Sequence, residues 1–240
     1  RAHQNARHLI DAGDDPLQII CDRAHAKGML VYPTLLVQQG RGERGADVRC
    51  SDFRFDSVQL EIGAGGDLPP DSPGLTFLDF KHEQVRDERF ALIEETLEQY
   101  AVDGFELDLA YGPHYFHPDA VAAGREVMTA WIERVCAAVK AGGSERELAI
   151  RIPADLGVCE RIGLDVRGWI ERGIVDVLIG EGMGGSDWLD QTVDFRPLVE
   201  AARGAPCRVH AALQSFVDSD RLAEGPIQMI RAAACNFWAQ

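Results

Sequence analysis

The sequence has 240 residues, with 24 basic and 39 acidic side chains, and its formal net charge is −15. This charge argues against nucleic acids and anionic membrane surfaces as partners, because both would repel the chain. No apolar run approaches the roughly 18 residues that a membrane-spanning helix needs, and the 46% hydrophobic content and the length predict a single globular domain over residues 1–240.

Strand and helix patterns alternate along the chain, after an opening segment that reads as a loop. Short apolar runs predict strands over 29–37, 75–80, 105–110, 148–153, 175–179 and 208–216. Amphipathic periodicity predicts helices over 15–27, 85–102, 121–141, 165–172, 195–203 and 221–238.

This alternation is typical of an α/β protein with a parallel sheet and right-handed crossovers. An open doubly wound sheet usually carries a glycine-rich phosphate loop, and neither the dinucleotide nor the nucleotide fingerprint occurs here, so no cofactor is expected. We therefore favour a (β/α)₈ TIM barrel. Only six strands are predicted, so the first and last strands are expected to be missing; a complete six-stranded fold is the alternative.

The segment 103–111 carries the strongest candidate site. Because strand side chains alternate between faces, Glu106 and Asp108 should point into the barrel while their apolar neighbours face the helices. Two inward carboxylates need a partner or an open mouth. Arg151, inward on the next predicted strand, is the expected salt-bridge partner.

Other strand ends add candidates. Glu181 directly follows the strand 175–179, in a glycine-rich loop. Gln214 and His210 share one face of the strand 208–216, with His210 lower and better suited to a hydrogen-bonded core position. Tyr111 and His114 lie in the aromatic loop after the carboxylates, and Trp188 lies beyond Glu181.

Convergent carboxylates beside aromatic rings are typical of glycosidic bond cleavage, in which one carboxyl group protonates the leaving oxygen and a second attacks the sugar or activates water. No serine stands in a nucleophile-elbow motif. A metal site using His114, His117 and Asp119 is a weaker alternative because no helix fixes that spacing, so no metal is expected.

The runs 78–108, 5–28 and 163–176 resemble the glycosyl hydrolase-like family 10 barrels, most closely over 78–108. The resemblance implies a (β/α)₈ hydrolase-like barrel acting on glycans, with Asp108 as the leading acid candidate. The segment 34–39 departs from the polar pattern of that family, which leaves substrate and retained activity open.

We therefore predict a glycan-cleaving barrel with Asp108 and Glu181 as the catalytic pair. Glu106, the third catalytic candidate, would form with Arg151 a supporting pair that tunes Asp108. The predicted substrate contacts are Tyr111, His114, Arg151, Trp188, His210 and Gln214. The rivals are a non-catalytic carbohydrate-binding barrel and a metal-dependent hydrolase or isomerase. Oligomeric state stays open, and so does localisation, since no signal peptide is recognisable and the chain begins at Arg1.

Overall fold

The computed structural model describes residues 2–39, 42–44, 50–182, 190, 192–214 and 224–240. The strands are β1 (Thr34–Leu36), β2 (Gly104–Asp108), β3 (Glu147–Pro153), β4 (Val177–Glu181) and β5 (Arg208–Ala211). The α-helices are α1 (Ala2–Asp11), α2 (Pro16–His25), α3 (Asp52–Asp56), α4 (Glu83–Gln99), α5 (Val121–Ala141), α6 (Leu156–Arg161), α7 (Val166–Arg172), α8 (Arg196–Ala201) and α9 (Ile227–Trp238).

The five strands form one parallel sheet in the order β1-β2-β3-β4-β5. Each connection between consecutive strands therefore advances by one strand position in the same direction across the sheet. When all such connections have the same handedness, their helices lie on one face of the sheet. A doubly wound sheet instead reverses direction at a switch point. The fold is α/β and of the (β/α)₈ type, as predicted, and the barrel is not closed within the described residues.

The outer face of the sheet is the centre of the hydrophobic core. On β2 and just beyond it, Phe105, Leu107 and Leu109 are at most 3% exposed, and Ile150 and Ile152 on β3 are fully buried. The intervening residues Glu106, Asp108 and Arg151 face the other side, as strand alternation requires. Burial of the outer side chains under the helices thus determines which charged side chains line the inner face.

The inner face is also polar at the amino ends of the strands. Tyr32 donates a hydrogen bond to Glu147 (2.6 Å), and the Arg208 guanidinium donates to both carboxylate oxygens of Glu147 at 2.9 and 2.6 Å. A Cβ at Gly104 would lie 2.3 Å from the Tyr32 ring, so only glycine on β2 leaves room for this tyrosine to reach β3. This network connects three strands beneath the candidate site.

The predicted strand over 75–80 is wrong. β1 pairs directly with β2, which leaves no place for a strand between them. The segment instead turns at Gly74, whose φ is +74°. Its backbone bonds to residues 60–62, where Asp79 N donates to Leu60 O and Ile62 N donates to Phe77 O.

The expectation of an opening loop is also wrong, because residues 2–11 form α1. The described side chains of α1, at positions 4, 5 and 7–11, are all exposed. The predicted strands over 29–37 and 208–216 are shorter than expected. Residues 215–216, at the end of the second of these strands, and residues 221–223, at the start of the predicted helix 221–238, lie outside the described residues. In the described part of the chain, no helix combines the length and apolarity required to cross a membrane.

The outer face should dominate stability. Leu107→Ala, at a fully buried position on β2, should lower the free energy of unfolding by about 2–5 kcal/mol through lost burial and the cavity left behind. Leu92→Ala is the matched control, because Leu92 on α4 is 37% exposed and should cost no more than about 1 kcal/mol. Urea titration followed by circular dichroism measures both, and equal losses would contradict this account of the core.

Candidate active site

Three neighbouring strands bring charged side chains together on the inner face. In the sheet register Asp108 on β2 stands opposite Arg151 on β3, and Pro153 on β3 stands opposite Glu181 on β4. Glu106 lies two residues before Asp108, one layer deeper. The carboxyl ends of parallel strands are where barrels of this kind carry their sites.

Arg151 is the centre of this cluster. Its Nε and Nη2 both lie near Glu106 Oε1, at 2.9 and 2.8 Å, and its Nη1 lies 3.4 Å from Glu181 Oε2. Asp108 Oδ2 is farther, 3.9 Å from Nε. The guanidinium therefore stands between Glu106 and Asp108 on one edge and Glu181 on the other. The expected Arg151–Glu106 salt bridge is present.

Asp108 has an environment unlike that of a surface carboxylate. Its side chain is only 13% exposed, and this burial raises its pKa above the usual value, although N–H donation from Tyr111 and Ala110 and the nearby Arg151 oppose the rise. Oδ1 accepts both backbone bonds, at 2.9 Å from Tyr111 and 3.0 Å from Ala110. Oδ2 accepts neither of these bonds and is thus the oxygen available to carry a proton.

Glu181 is the more exposed carboxylate, at 24%. Gln214 donates to its Oε1 at 3.3 Å, so both oxygens of Glu181 have a neighbour. A cavity of about 480 Å³ opens beside Glu181 and is also lined by Asp155, Arg167 and Pro197. Its volume lies within the range of small-molecule sites.

Glu106 lies one layer deeper in the cluster than Asp108. Thr34 on β1 donates to its Oε2 at 3.3 Å, while Oε1 meets Arg151. Both oxygens are thus engaged, which suits a positioning residue.

The sequence analysis did not identify Thr34, although Thr34 stands opposite Glu106 in the β1–β2 register. Such a pairing joins distant segments and cannot be read from the residues around Thr34.

The remaining predicted residues are spread around the mouth. Tyr111 is 43% exposed and begins the loop after Asp108. His114 packs near Phe77, with ring centroids 6.0 Å apart, and burial lowers its pKa. Phe77 was not among the sequence candidates because it lies in the segment misread as a strand.

His210 corrects the expectation of a hydrogen-bonded core histidine. It is exposed on β5 and borders a separate cavity with Phe237 and Trp238, because β5 has no further neighbour within the described residues. Within that part of the chain no hydrogen bond or ion pair joins His210 to Arg151 or the carboxylates. Trp188 lies outside the described residues.

The histidines proposed for the alternative metal site do not converge. His117 Nε2 lies 3.3 Å from Asp67 and its Nδ1 accepts from Asp119 N, whereas His114 packs against Phe77. Among the residues that the structure describes, no group of three histidine, cysteine or carboxylate side chains is arranged to hold a metal ion.

Comparisons with known proteins give only distant likenesses. No family model matches the sequence, and no curated protein matches it. Among solved structures, a GH36 alpha-galactosidase from Geobacillus stearothermophilus is 11% identical with a TM-score of 0.40 and covers 93% of this chain and 33% of its own. The galactosidase domain of an alpha-galactosidase-sucrose kinase is 16% identical with a TM-score of 0.45, covering 94% and 32%.

An alpha-amylase from Geobacillus thermoleovorans, complexed with acarbose, is 11% identical with a TM-score of 0.42 and covers 93% of this chain and 62% of its own. The chain thus spans about a third of the length of those alpha-galactosidases. Identities and TM-scores this low do not identify a shared fold or function. The fold is therefore assigned from the sheet topology, and the candidate site is assigned from the distances between its own side chains.

The stability of the cluster should depend on Arg151. Arg151→Met should cost about 1–3 kcal/mol at neutral pH, because Glu106 and Glu181 lose a hydrogen-bond donor and all three partly buried carboxylates lose their common counter-charge. The loss should shrink toward about pH 4, because burial raises the pKa of Asp108 above its usual value of about 4 and a protonated Asp108 needs no counter-charge. Denaturant titrations at the two pH values measure this.

Arg172→Met provides the matched control. Arg172 pairs with Glu133 at 2.7 Å, but the two side chains are 44% and 43% exposed, and such surface pairs contribute about 0–1 kcal/mol. If both variants lost the same stability at both pH values, Arg151 would not be the electrostatic centre of the cluster.

Proposed function

We propose that this protein hydrolyses glycosidic bonds, with Asp108 as general acid and Glu181 as its carboxylate partner. The observation that carries the proposal is the placement of these two carboxyl groups at the carboxyl ends of β2 and β4, on opposite edges of the Arg151 guanidinium. One carboxyl group is buried and has a raised pKa, whereas the other is more exposed and faces a cavity. Two carboxyl groups in contrasting environments suit the opposite tasks of this reaction.

The proposed reaction breaks one glycosidic bond with one water molecule. Asp108 Oδ2 gives its proton to the glycosidic oxygen as the bond from that oxygen to the anomeric carbon breaks. In one route Glu181 attacks the anomeric carbon, and water then breaks the bond between the sugar and Glu181 and gives its proton to Asp108. In the other route Glu181 takes a proton from the water that attacks the anomeric carbon, after which Glu181 releases that proton to solvent and Asp108 takes one from solvent. In both routes water supplies the hydroxyl group of the released sugar.

Arg151 and Glu106 position this pair. Arg151 Nη1 lies 3.4 Å from Glu181 Oε2 and places a positive charge beside this carboxyl group. Glu106 holds the guanidinium by two contacts to one oxygen. Tyr111, His114 and Gln214 lie at the mouth, where aromatic faces and hydrogen-bonding groups suit a sugar ring.

At the level of family, the proposal is a glycosyl hydrolase-like family 10 barrel. Its support is the resemblance over residues 78–108, which include Asp108 itself. Fold alone does not determine the reaction, so the site has to be tested directly.

A carbohydrate-binding barrel without turnover is the second candidate. The observation that favours it is the engagement of Glu181, whose two oxygens contact Arg151 and Gln214. A carboxylate held in this way suits hydrogen bonding to sugar hydroxyl groups. This candidate predicts glycan binding that survives Asp108→Asn, with no turnover by either protein.

Asp108→Asn separates the two candidates. Turnover should be measured on a panel of para-nitrophenyl glycosides of the common pyranoses in both anomeric forms. For a hydrolase, the substitution should lower kcat by about 10²–10⁴-fold on the glycoside that the native protein cleaves, because the amide cannot donate the acid proton. Asp71→Asn, at an exposed loop position, is the matched control and should keep full activity.

The same variant should not be less stable at neutral pH. The raised pKa of Asp108 means that folding opposes its ionisation, so native stability falls as pH rises from the unfolded value of about 4 through the folded value. Asparagine has no such loss. A variant that lost activity and also unfolded at neutral pH would contradict the role assigned to Asp108.

A further inference from the structure

Two loops at the mouth of the site pack into each other. The first, here called the outer loop, comprises residues 72–80 before α4, and the second, the β2 loop, comprises residues 109–117. Phe77 of the outer loop and His114 of the β2 loop place their rings side by side, with centroids 6.0 Å apart and planes tilted by 39°. Both side chains are partly exposed.

Each loop provides a glycine that makes room for the ring of the other. A Cβ at Gly74 in the outer loop would lie 2.4 Å from His114 Cβ. A Cβ at Gly112 in the β2 loop would lie 2.8 Å from the Phe77 ring. Both glycines have positive φ, +74° and +57°. The ring pair is therefore held by a reciprocal fit of backbone and side chain.

A buried amide fixes the two loops to the sheet. Gln38, just beyond β1 and 1% exposed, donates from Nε2 to Leu78 O in the outer loop at 2.7 Å and to His114 O in the β2 loop at 2.5 Å. Phe80 N donates to Tyr115 O at 2.8 Å, and these two rings pack edge to face beneath the surface. The partly exposed rings of Phe77 and His114 thus lie on a layer of buried side chains and backbone hydrogen bonds that forms a rigid base.

A short backbone segment links the ring pair to the proposed acid. Tyr111 N, at the start of the β2 loop, donates to Asp108 Oδ1 at 2.9 Å, and Gly112 next to it contacts Phe77. His114 is neutral near pH 7 because burial lowers its pKa, so it can both donate and accept hydrogen bonds. An apolar ring beside a neutral hydrogen-bonding ring matches a pyranose, which has apolar C–H faces and a rim of hydroxyl groups.

We propose that Phe77 and His114, locked by Gly74, Gly112 and Gln38, form a preorganised subsite for the pyranose unit next to the one whose bond is cleaved. The subsite rests on the proposed function, since it names a substrate contact of the same site. Phe77 provides the stacking face and His114 a hydrogen bond to a hydroxyl group. The rigid base means that little conformational freedom is lost on binding.

The test compares short and long substrates. Maltotetraose, cellotetraose, xylotetraose and chitotetraose serve as the long probes, and the para-nitrophenyl glycoside of the same sugar serves as the short one. Phe77→Leu and His114→Leu should raise KM for the cleaved tetrasaccharide about three- to tenfold, the size of an aromatic contact. For Phe77→Leu, kcat on the tetrasaccharide and all constants for the short probe should stay within about twofold of the native values, since one contact outside the reacting unit changes mainly ground-state binding.

Matched controls separate the subsite from general damage. Phe237→Leu, on α9, removes one ring of the edge-to-face pair that Phe237 forms with Phe195 and should change no kinetic constant. Gly112→Ala should reproduce the KM effect by displacing Phe77. Gly28→Ala should not, because Gly28 has a similar φ of +69° but open space around its Cβ position. Thermal melting confirms that each variant is folded.

The outcomes distinguish the subsite from the reaction. Unchanged KM for Phe77→Leu and His114→Leu in a native protein that cleaves a tetrasaccharide would overturn the subsite and leave the hydrolase standing. If calorimetry shows that the native protein binds a tetrasaccharide without cleaving it and both variants weaken that binding, the subsite stands and hydrolysis fails. If the native protein neither binds nor cleaves any of the four probes, both proposals fall.

Discussion

The charge of Arg151 is the constraint on which the inner face of this sheet depends. Glu106, Asp108 and Glu181 project from β2 and β4 into a partly buried space, where ionised carboxylates repel one another more strongly than in water. A single guanidinium on the intervening strand contacts all three. Its planar fork of donors allows Glu106 and Glu181 to use different edges, which an ammonium group could not do.

The two faces of the sheet have opposite roles. The outer face holds fully buried aliphatic side chains such as Leu107 and Ile150 under the helices and provides most of the stability. The inner face carries the Tyr32–Glu147–Arg208 network at its amino ends and the carboxylate cluster at its carboxyl ends. A rigid apolar layer thus holds in place a polar surface that would be costly to build without it.

Much of the site could be predicted from local pattern. Alternation along 103–111 placed Glu106 and Asp108 on one face, and the same argument on β3 identified Arg151 as the partner of Glu106. The helix α1 was missed, and an apolar run was misread as a strand at 75–80, where β1–β2 pairing leaves no room. His210 is exposed because β5 has no further neighbouring strand within the described residues. The sequence of β5 does not specify which strand lies beside it.

The sequence by itself determined the alternating order of strands and helices and the face on which each strand residue lies, because both follow from backbone periods of two and 3.6 residues. The tertiary structure decided the contacts between distant segments. The register that places Asp108 opposite Arg151, the reach of Thr34 to Glu106, and the packing of Phe77 on Gly112 and of His114 on Gly74 are of this kind. They depend on how loops close and on the space that glycines leave, and no periodicity along the chain encodes either.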